Sequence, residues 1–159
     1  MKPVDKKVIE ILNEVLSAEL AAISQYFVHA EMCDNWGYQR LYEAIRRSSF
    51  DEMKHAEQLI ERILYFEGVP NVQRLGKITV GETVIEQLKL DLALEKEAVT
   101  RLNASSHALR ELGDAASATM LEDMLESEEE HVNWLEAQHE LVKQIGEQNY
   151  LAQQIVKKD

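Results

Sequence analysis

Apolar residues recur at spacings of three and four along most of the chain, the period of amphipathic helices. Asp5 is the expected N-cap of a first helix over about residues 5–34, striped Val8, Leu12, Val15, Leu16, Glu19, Ile23 and Tyr26. Asn35-Trp36-Gly37 breaks it. A second helix over about 39–66 buries Leu41, Ile45, Ser48, Glu52, His55, Ala56, Leu59 and Ile63. Gly68-Val69-Pro70-Asn71 stops it, and the stretch to about Glu82, with Gly76 and Gly81, has no clear period. A third helix over about 83–111 carries Val84, Leu88, Leu92, Glu95, Val99, Leu102 and Leu109. After Gly113-Asp114 a fourth, over about 114–144, carries Leu121, Met124, Leu125, Glu128, His131, Val132 and Leu135, and a short fifth is expected over about 148–156.

The short connections make the first and second helices, and the third and fourth, antiparallel neighbours. The middle connection, about 15 residues, reaches roughly 50 Å at about 3.3 Å per residue. A helix of about 28 residues is only about 42 Å long, so this segment can traverse the bundle and set helices two and three parallel. The expected fold is therefore all-α: one domain over residues 1–159, a four-helix bundle with one long crossover and a short C-terminal helix.

Six polar residues interrupt the apolar stripes: Glu19, Glu52, His55, Glu95, Glu128 and His131. They obey a hidden repeat. Glu19 to Glu52 spans 33 residues, as does Glu95 to Glu128, and a histidine follows each second glutamate three residues later. A shift of 76 maps the first hairpin onto the second and carries Gly37 onto Gly113. With each turn near the midpoint of its interval, the paired glutamates sit at one level of the bundle. A single Glu-x-x-His is weak; two copies at matched spacing, each with a matched glutamate one helix earlier, are specific.

Burying even a neutral polar group without a partner costs about 2–7 kcal/mol, and an unpaired carboxylate costs more. A purely hydrogen-bonded network of four glutamates and two histidines is the bland alternative, but carboxylates packed a few ångströms apart do not all stay ionised. Two divalent cations nearly balance the four carboxylates and leave both imidazoles neutral. Mixed oxygen and imidazole donors suit iron or manganese, with zinc a further occupant. We read Glu19 and His55 as terminal ligands of one metal, Glu95 and His131 as those of the other, and Glu52 and Glu128 as bridges. This is the established donor pattern of ferritin-like di-iron proteins, applied here rather than discovered. Two adjacent ferrous ions each give one electron to O2 or H2O2, which favours oxidation over hydrolysis. Tyr26, seven residues after Glu19 on the same face, is either a hydrogen-bonding or redox neighbour of the site or a core tyrosine.

Composition narrows the function classes. The net charge of −12 over 159 residues argues against nucleic acid or an anionic membrane as partner and suits cations, though acidity also serves solubility. Cys33 is the one cysteine, read as a buried or half-buried thiol, so Cys-x-x-Cys zinc sites and thiolate clusters are out. No signal peptide or membrane span is evident, and a cytoplasmic location is expected. His29, His107 and His139 show no partner pattern and read as surface or helix-end residues. Met53 lies about 100° around its helix from Glu52. Its outer flank, with Ser49, Phe50, Ala56 and Ile60, and the flank Leu20, Ile23, Ser24 and Phe27 of the first helix, mark a subunit interface. On spacing alone Met53 there is packing.

Over essentially its whole length the chain resembles the bacterioferritins, the haem-containing ferritins. The resemblance rests on Glu19-Leu-Ala-Ala-Ile-Ser-Gln-Tyr-Phe27, Asp51-Glu-Met-Lys-His-Ala56, Ile63-Leu-Tyr-Phe-Glu-Gly-Val-Pro-Asn71, Asp91-Leu-Ala-Leu-Glu95 and Glu128-Glu-Glu-His-Val-Asn-Trp-Leu135. It implies an intrasubunit di-iron ferroxidase site on the six residues above and iron storage in a hollow homo-oligomeric shell of twenty-four subunits. It implies haem b across a two-fold axis, ligated by Met53 of each subunit and lined by Leu20, Ile23 and Phe27. It further implies a small ferredoxin as reductant. Arg47 stands where some members have a histidine near the residue that is Asp51 here, which argues against an accessory inner-surface iron site. Leu59 replaces a tyrosine of some relatives, so no electron relay passes there. The competing readings are a peroxide-consuming di-iron protein and a haem-binding shell without a major storage role. The lone cysteine excludes the form of the former that carries a Cys-rich rubredoxin segment.

Overall fold

The computed structural model describes residues 1–2 and 5–155. They form five helices, α1 (Lys7–Asn35), α2 (Gln39–Tyr65), α3 (Val84–Glu111), α4 (Ala115–Ile145) and α5 (Glu147–Gln154), with no strand among the described residues. Val156, the expected last residue of the fifth helix, lies outside them.

Local chemistry sets the helix ends. Thr83 Oγ1 accepts from Glu86 N at 3.2 Å and caps α3, while Glu86 Oε2 accepts from Glu82 N, one residue before the cap, at 2.8 Å. Asp114 Oδ1 accepts from Ser117 N at 3.0 Å and caps α4. At α1 the expected cap is displaced by one residue: Lys6 holds the N-cap position without a side-chain bond, and Asp5 Oδ1 reaches Lys7 N at 2.8 Å instead.

The sequence repeat reappears in the turns. Gly37 and Gly113 have φ of 87° and 85°, a left-handed conformation that glycine adopts without side-chain strain. Gly37 N donates to Asp34 O and Tyr38 N to Cys33 O; Gly113 N donates to Arg110 O and Asp114 N to Leu109 O, the same pattern one repeat later. Matched turns keep the two hairpins in register.

The crossover runs along α1. Val69 O accepts from Asn13 Nδ2, Asn13 Oδ1 accepts from Asn71 N, Gly76 N donates to Ser17 O, Thr79 N to Gln25 Oε1, and Gly81 N to His29 Nε2. Partners advance together from residue 13 to residue 29 of α1. The segment therefore leaves the C-terminus of α2 near the start of α1 and delivers the chain to the other end. Helix α3 then runs antiparallel to α1 and parallel to α2, as the length of the connection predicts.

The core has two apolar clusters. One gathers Leu12, Leu16, Leu59, Ile63, Leu102, Leu109, Leu121 and neighbours; the other gathers Tyr26, Cys33, Leu41, Ile45, Leu88, Leu135 and Tyr150. Each fully buried leucine or isoleucine stabilises by about 1.5–3 kcal/mol. Between the clusters lies the layer of Glu19, Glu52, Glu95 and Glu128, all buried.

Gly81 packs where no side chain fits, since a Cβ there falls 2.6 Å from Gln87 N and 2.9 Å from Gln87 Cα. Around Gly37 that position is open. In denaturant unfolding, Gly37→Ala is expected to cost only the left-handed strain of about 1–2 kcal/mol, and Gly81→Ala distinctly more. Equal losses would show that the crossover yields at Gly81.

Candidate metal centre

Each helix of the bundle contributes one glutamate to the polar layer, and α2 and α4 each add a histidine one turn later. His55 Nδ1 lies 3.0 Å from Glu128 Oε1, 3.4 Å from Glu52 Oε2 and 3.7 Å from Glu19 Oε2. His131 Nδ1 lies 3.2 Å from both Glu52 Oε1 and Glu95 Oε1, and 3.8 Å from Glu128 Oε2. The donors fall into two quartets, Glu19–Glu52–His55–Glu128 and Glu52–Glu95–Glu128–His131, each with ligating atoms within 4.8 Å of one another. Glu52 and Glu128 belong to both.

The layer is not satisfied by hydrogen bonds. Glu19 Oε2, Glu52 Oε1, His55 Nδ1, Glu95 Oε2 and Glu128 Oε1 are all buried without an aligned partner. Close approach without alignment is what donors aimed at a common point produce. Buried polar groups otherwise almost always find partners, so the arrangement fits a pair of cations better than a self-contained network.

Electrostatics points the same way. Burial pulls the His55 imidazole down, but Glu128, Glu19 and Glu52 outweigh it and hold its pKa at about 12. His131 is likewise lowered by burial and raised further by Glu128, Glu52 and Glu95, ending well above its ordinary value. Burial and then the Glu19 carboxylate push Glu52 up. Burial, followed by the Glu128 contact, pushes Glu95 up. Burial raises Glu128 too, but its contacts with Glu95, both imidazoles and Glu52 prevail and hold it below the usual carboxylate range. The layer thus stores protons that a cation must displace.

Neighbouring groups grip part of the layer. The Tyr26 hydroxyl donates to Glu95 Oε1, and burial followed by the Glu95 charge raises its pKa well above the usual tyrosine value. His131 Nε2 is 3.0 Å from Asp51 Oδ2. A cavity of about 240 Å³ lined by Tyr26, Arg47, Ser48, Asp51, His131 and Trp134 opens beside this pair. On another side, a cavity of about 80 Å³ reaches Glu19, Glu52 and Glu128 from beneath Gly76 and Lys77.

Two sequence expectations fail. His29 is not a surface residue: it is fully buried, with Nδ1 2.9 Å from Asp91 Oδ1 and Nε2 accepting from Gly81 N at 3.0 Å. Gln25 Nε2 also donates to Asp91 Oδ1 at 2.9 Å. The network was missed because the repeat does not carry it; a shift of 76 from His29 falls on Ser105. Ser49 does not sit on the outer flank either. It is buried, with its hydroxyl donating to Ile23 O at 3.0 Å; Ala56, placed both on the buried stripe and on the outer flank, follows the stripe. The α1–α2 seam occupies more of the helix circumference than the expected outer flank allowed. Of the remaining flank, Met53 (48%), Phe50 (43%) and Phe27 (51%) are exposed, and Leu20 and Ile23 are half-buried.

Comparison with known proteins follows the geometry. A ferritin-like domain is matched over residues 9–145, which defines the class of four-helix proteins to which the fold and layer point. Bacterioferritin of Mycobacterium leprae is 48% identical over 149 residues, 94% of each chain. That of Streptomyces coelicolor is 45% identical over 148 residues, 93% of this chain and 89% of its own, and that of Brucella melitensis 40% over 146 residues, 92% and 91% respectively. The chain belongs to the bacterioferritin family.

Because the raised imidazoles hold protons at neutral pH, divalent metal uptake must release them, and apparent affinity should rise with pH. Calorimetric titration with zinc in buffers of different ionisation enthalpy should report proton release. Uptake with no proton release would contradict the proton-storing layer.

Proposed function

We propose that this protein stores iron and acts as a ferroxidase, oxidising Fe(II) to Fe(III) inside each subunit. The observation that carries this is the pair of donor quartets sharing Glu52 and Glu128, with five buried ligating atoms left unpartnered. Ferrous ions are the substrate. Glu19 and His55 hold one, Glu95 and His131 hold the other, and Glu52 and Glu128 span both. Two ferrous ions give up one electron each, and with two protons they reduce O2 to H2O2 or H2O2 to two waters. The buried layer excludes bulk water, fixes both ions in one reaction unit and stabilises the higher charge of the product through its carboxylates. Tyr26 positions Glu95 through its hydroxyl bond.

Names of the relatives support storage, and with them we extend the reading to a homo-oligomeric shell of twenty-four subunits, reduced through a ferredoxin. A lone buried thiol suits a reducing compartment, and we place the shell in the cytoplasm. No helix among the described residues is long and apolar enough to cross a membrane. The exposed thioether of Met53, among Phe50, Phe27, Leu20 and Ile23, is a donor that would hold a haem b shared with a second subunit. Bound there, such a haem would supply one-electron redox chemistry.

Anaerobic loading with two ferrous ions per subunit, followed by O2 or H2O2, tests both sites optically. Rapid oxidation is expected in the parent, falling to the protein-free rate in Glu128→Ala, while haem absorbance is lost only in Met53→Leu. Equal slow oxidation in parent and Glu128→Ala would remove the ferroxidase and leave a haem-binding shell.

A further inference from the structure

The two halves of the layer are not equally supported. In the half formed by Glu95 and His131, both terminal groups are held from outside: Tyr26 donates to Glu95 Oε1, and His131 Nε2 sits 3.0 Å from Asp51 Oδ2. In the half formed by Glu19 and His55, Glu19 Oε2 and His55 Nδ1 have no aligned partner, and among the described residues no side chain bonds the outer nitrogen of His55. The repeat places Glu19, Glu52, His55, Glu95, Glu128 and His131 symmetrically, but its shift carries Asp51 onto Ser127 and Tyr26 onto Leu102, so neither support is duplicated.

We infer that Asp51 is a positioning residue that makes the His131 half the tighter of two unequal divalent-cation sites. The inference rests on the metal-centre reading above. Its physical basis is the tautomer. His131 Nδ1 also lies 3.2 Å from Glu95 Oε1, but an imidazole that binds a cation through Nδ1 has one proton left to place, and the carboxylate 3.0 Å from Nε2 holds it there. Nδ1, which faces Glu52 and Glu95, is then left with a lone pair aimed into the layer. The same bond fixes the ring's rotation, so His131 enters metal binding with its orientation already set. His55, lacking such a partner, must lose ring freedom and select its tautomer on binding. Asp51 lies beside Glu52 in the chain on α2 while His131 lies on α4, so the bond also clamps the two helices that carry both bridging carboxylates.

Cobalt(II) is the probe, because its visible spectrum reports coordination in the absence of turnover. The full-length parent is expected to bind two cobalt ions per subunit in two resolvable steps. Asp51→Leu should weaken the tighter step by about 10–100-fold and leave the weaker one in place. Asp51→Asn, whose amide oxygen still accepts from Nε2–H, should lose distinctly less. Two unchanged steps in Asp51→Leu would overturn the inference. So would equal loss in the Asn and Leu variants, or equal weakening of both steps together with a lower melting temperature of the metal-free variant, which marks a packing role. A parent that takes up no cobalt, or a Glu128→Ala variant that binds as the parent does, would instead sink the metal-centre reading itself.

Discussion

Four carboxylates buried at one level between two apolar clusters are the constraint on which the rest of this structure depends. Without counter-charge they repel, and the protein answers in part by keeping protons on the layer: Glu52 and Glu95 are pushed up and both imidazoles are held protonated. That solution is incomplete, since five ligating atoms remain unpartnered. The layer is therefore held together against its own preference by the apolar packing above and below it. Divalent cations supply the counter-charge that such a layer needs, at the cost of the protons it holds.

Holding the layer level requires long helices in fixed register, and the chain achieves this with few devices. Two glycine turns of the same geometry set the two hairpins. The crossover is fastened to α1 by hydrogen bonds at Asn13, Ser17, Gln25 and His29 in turn, which fixes α3 against α1 and so brings Glu95 to the level of Glu19. The His29–Asp91–Gln25 group makes the last of these fastenings. Gly81 N donates to His29 Nε2, so Nδ1 is the nitrogen that donates to Asp91, and the group is fully buried. It is a structural clasp placed one turn from Glu95, and it explains a buried polar cluster that the metal chemistry does not use.

Much of this was legible in the sequence because it is periodic. The stripes at three and four, the matched 33-residue intervals and the carry-over of Gly37 onto Gly113 led to the bundle, the crossover and the convergence of Glu19, Glu52, His55, Glu95, Glu128 and His131. What escaped was aperiodic. His29 meets Asp91 across two helices and Gly81 across a loop, contacts separated by 62 and 52 residues that no spacing rule anticipates. Asp51 was read only in connection with an accessory inner-surface site, yet it reaches His131, 80 residues away. Ser49 was misplaced because a wheel with ideal spacing cannot say how wide the α1–α2 seam is.

The most direct test of a two-cation layer is anomalous diffraction from crystals grown metal-free and then soaked in ferrous iron without oxidant. Two anomalous peaks are expected within each subunit, about 3.5–4 Å apart. One should lie among Glu19, His55 and the shared Glu52 and Glu128, the other among Glu95, His131 and the same shared pair. A single peak, or density only at exposed carboxylates, would contradict a layer built to hold two cations.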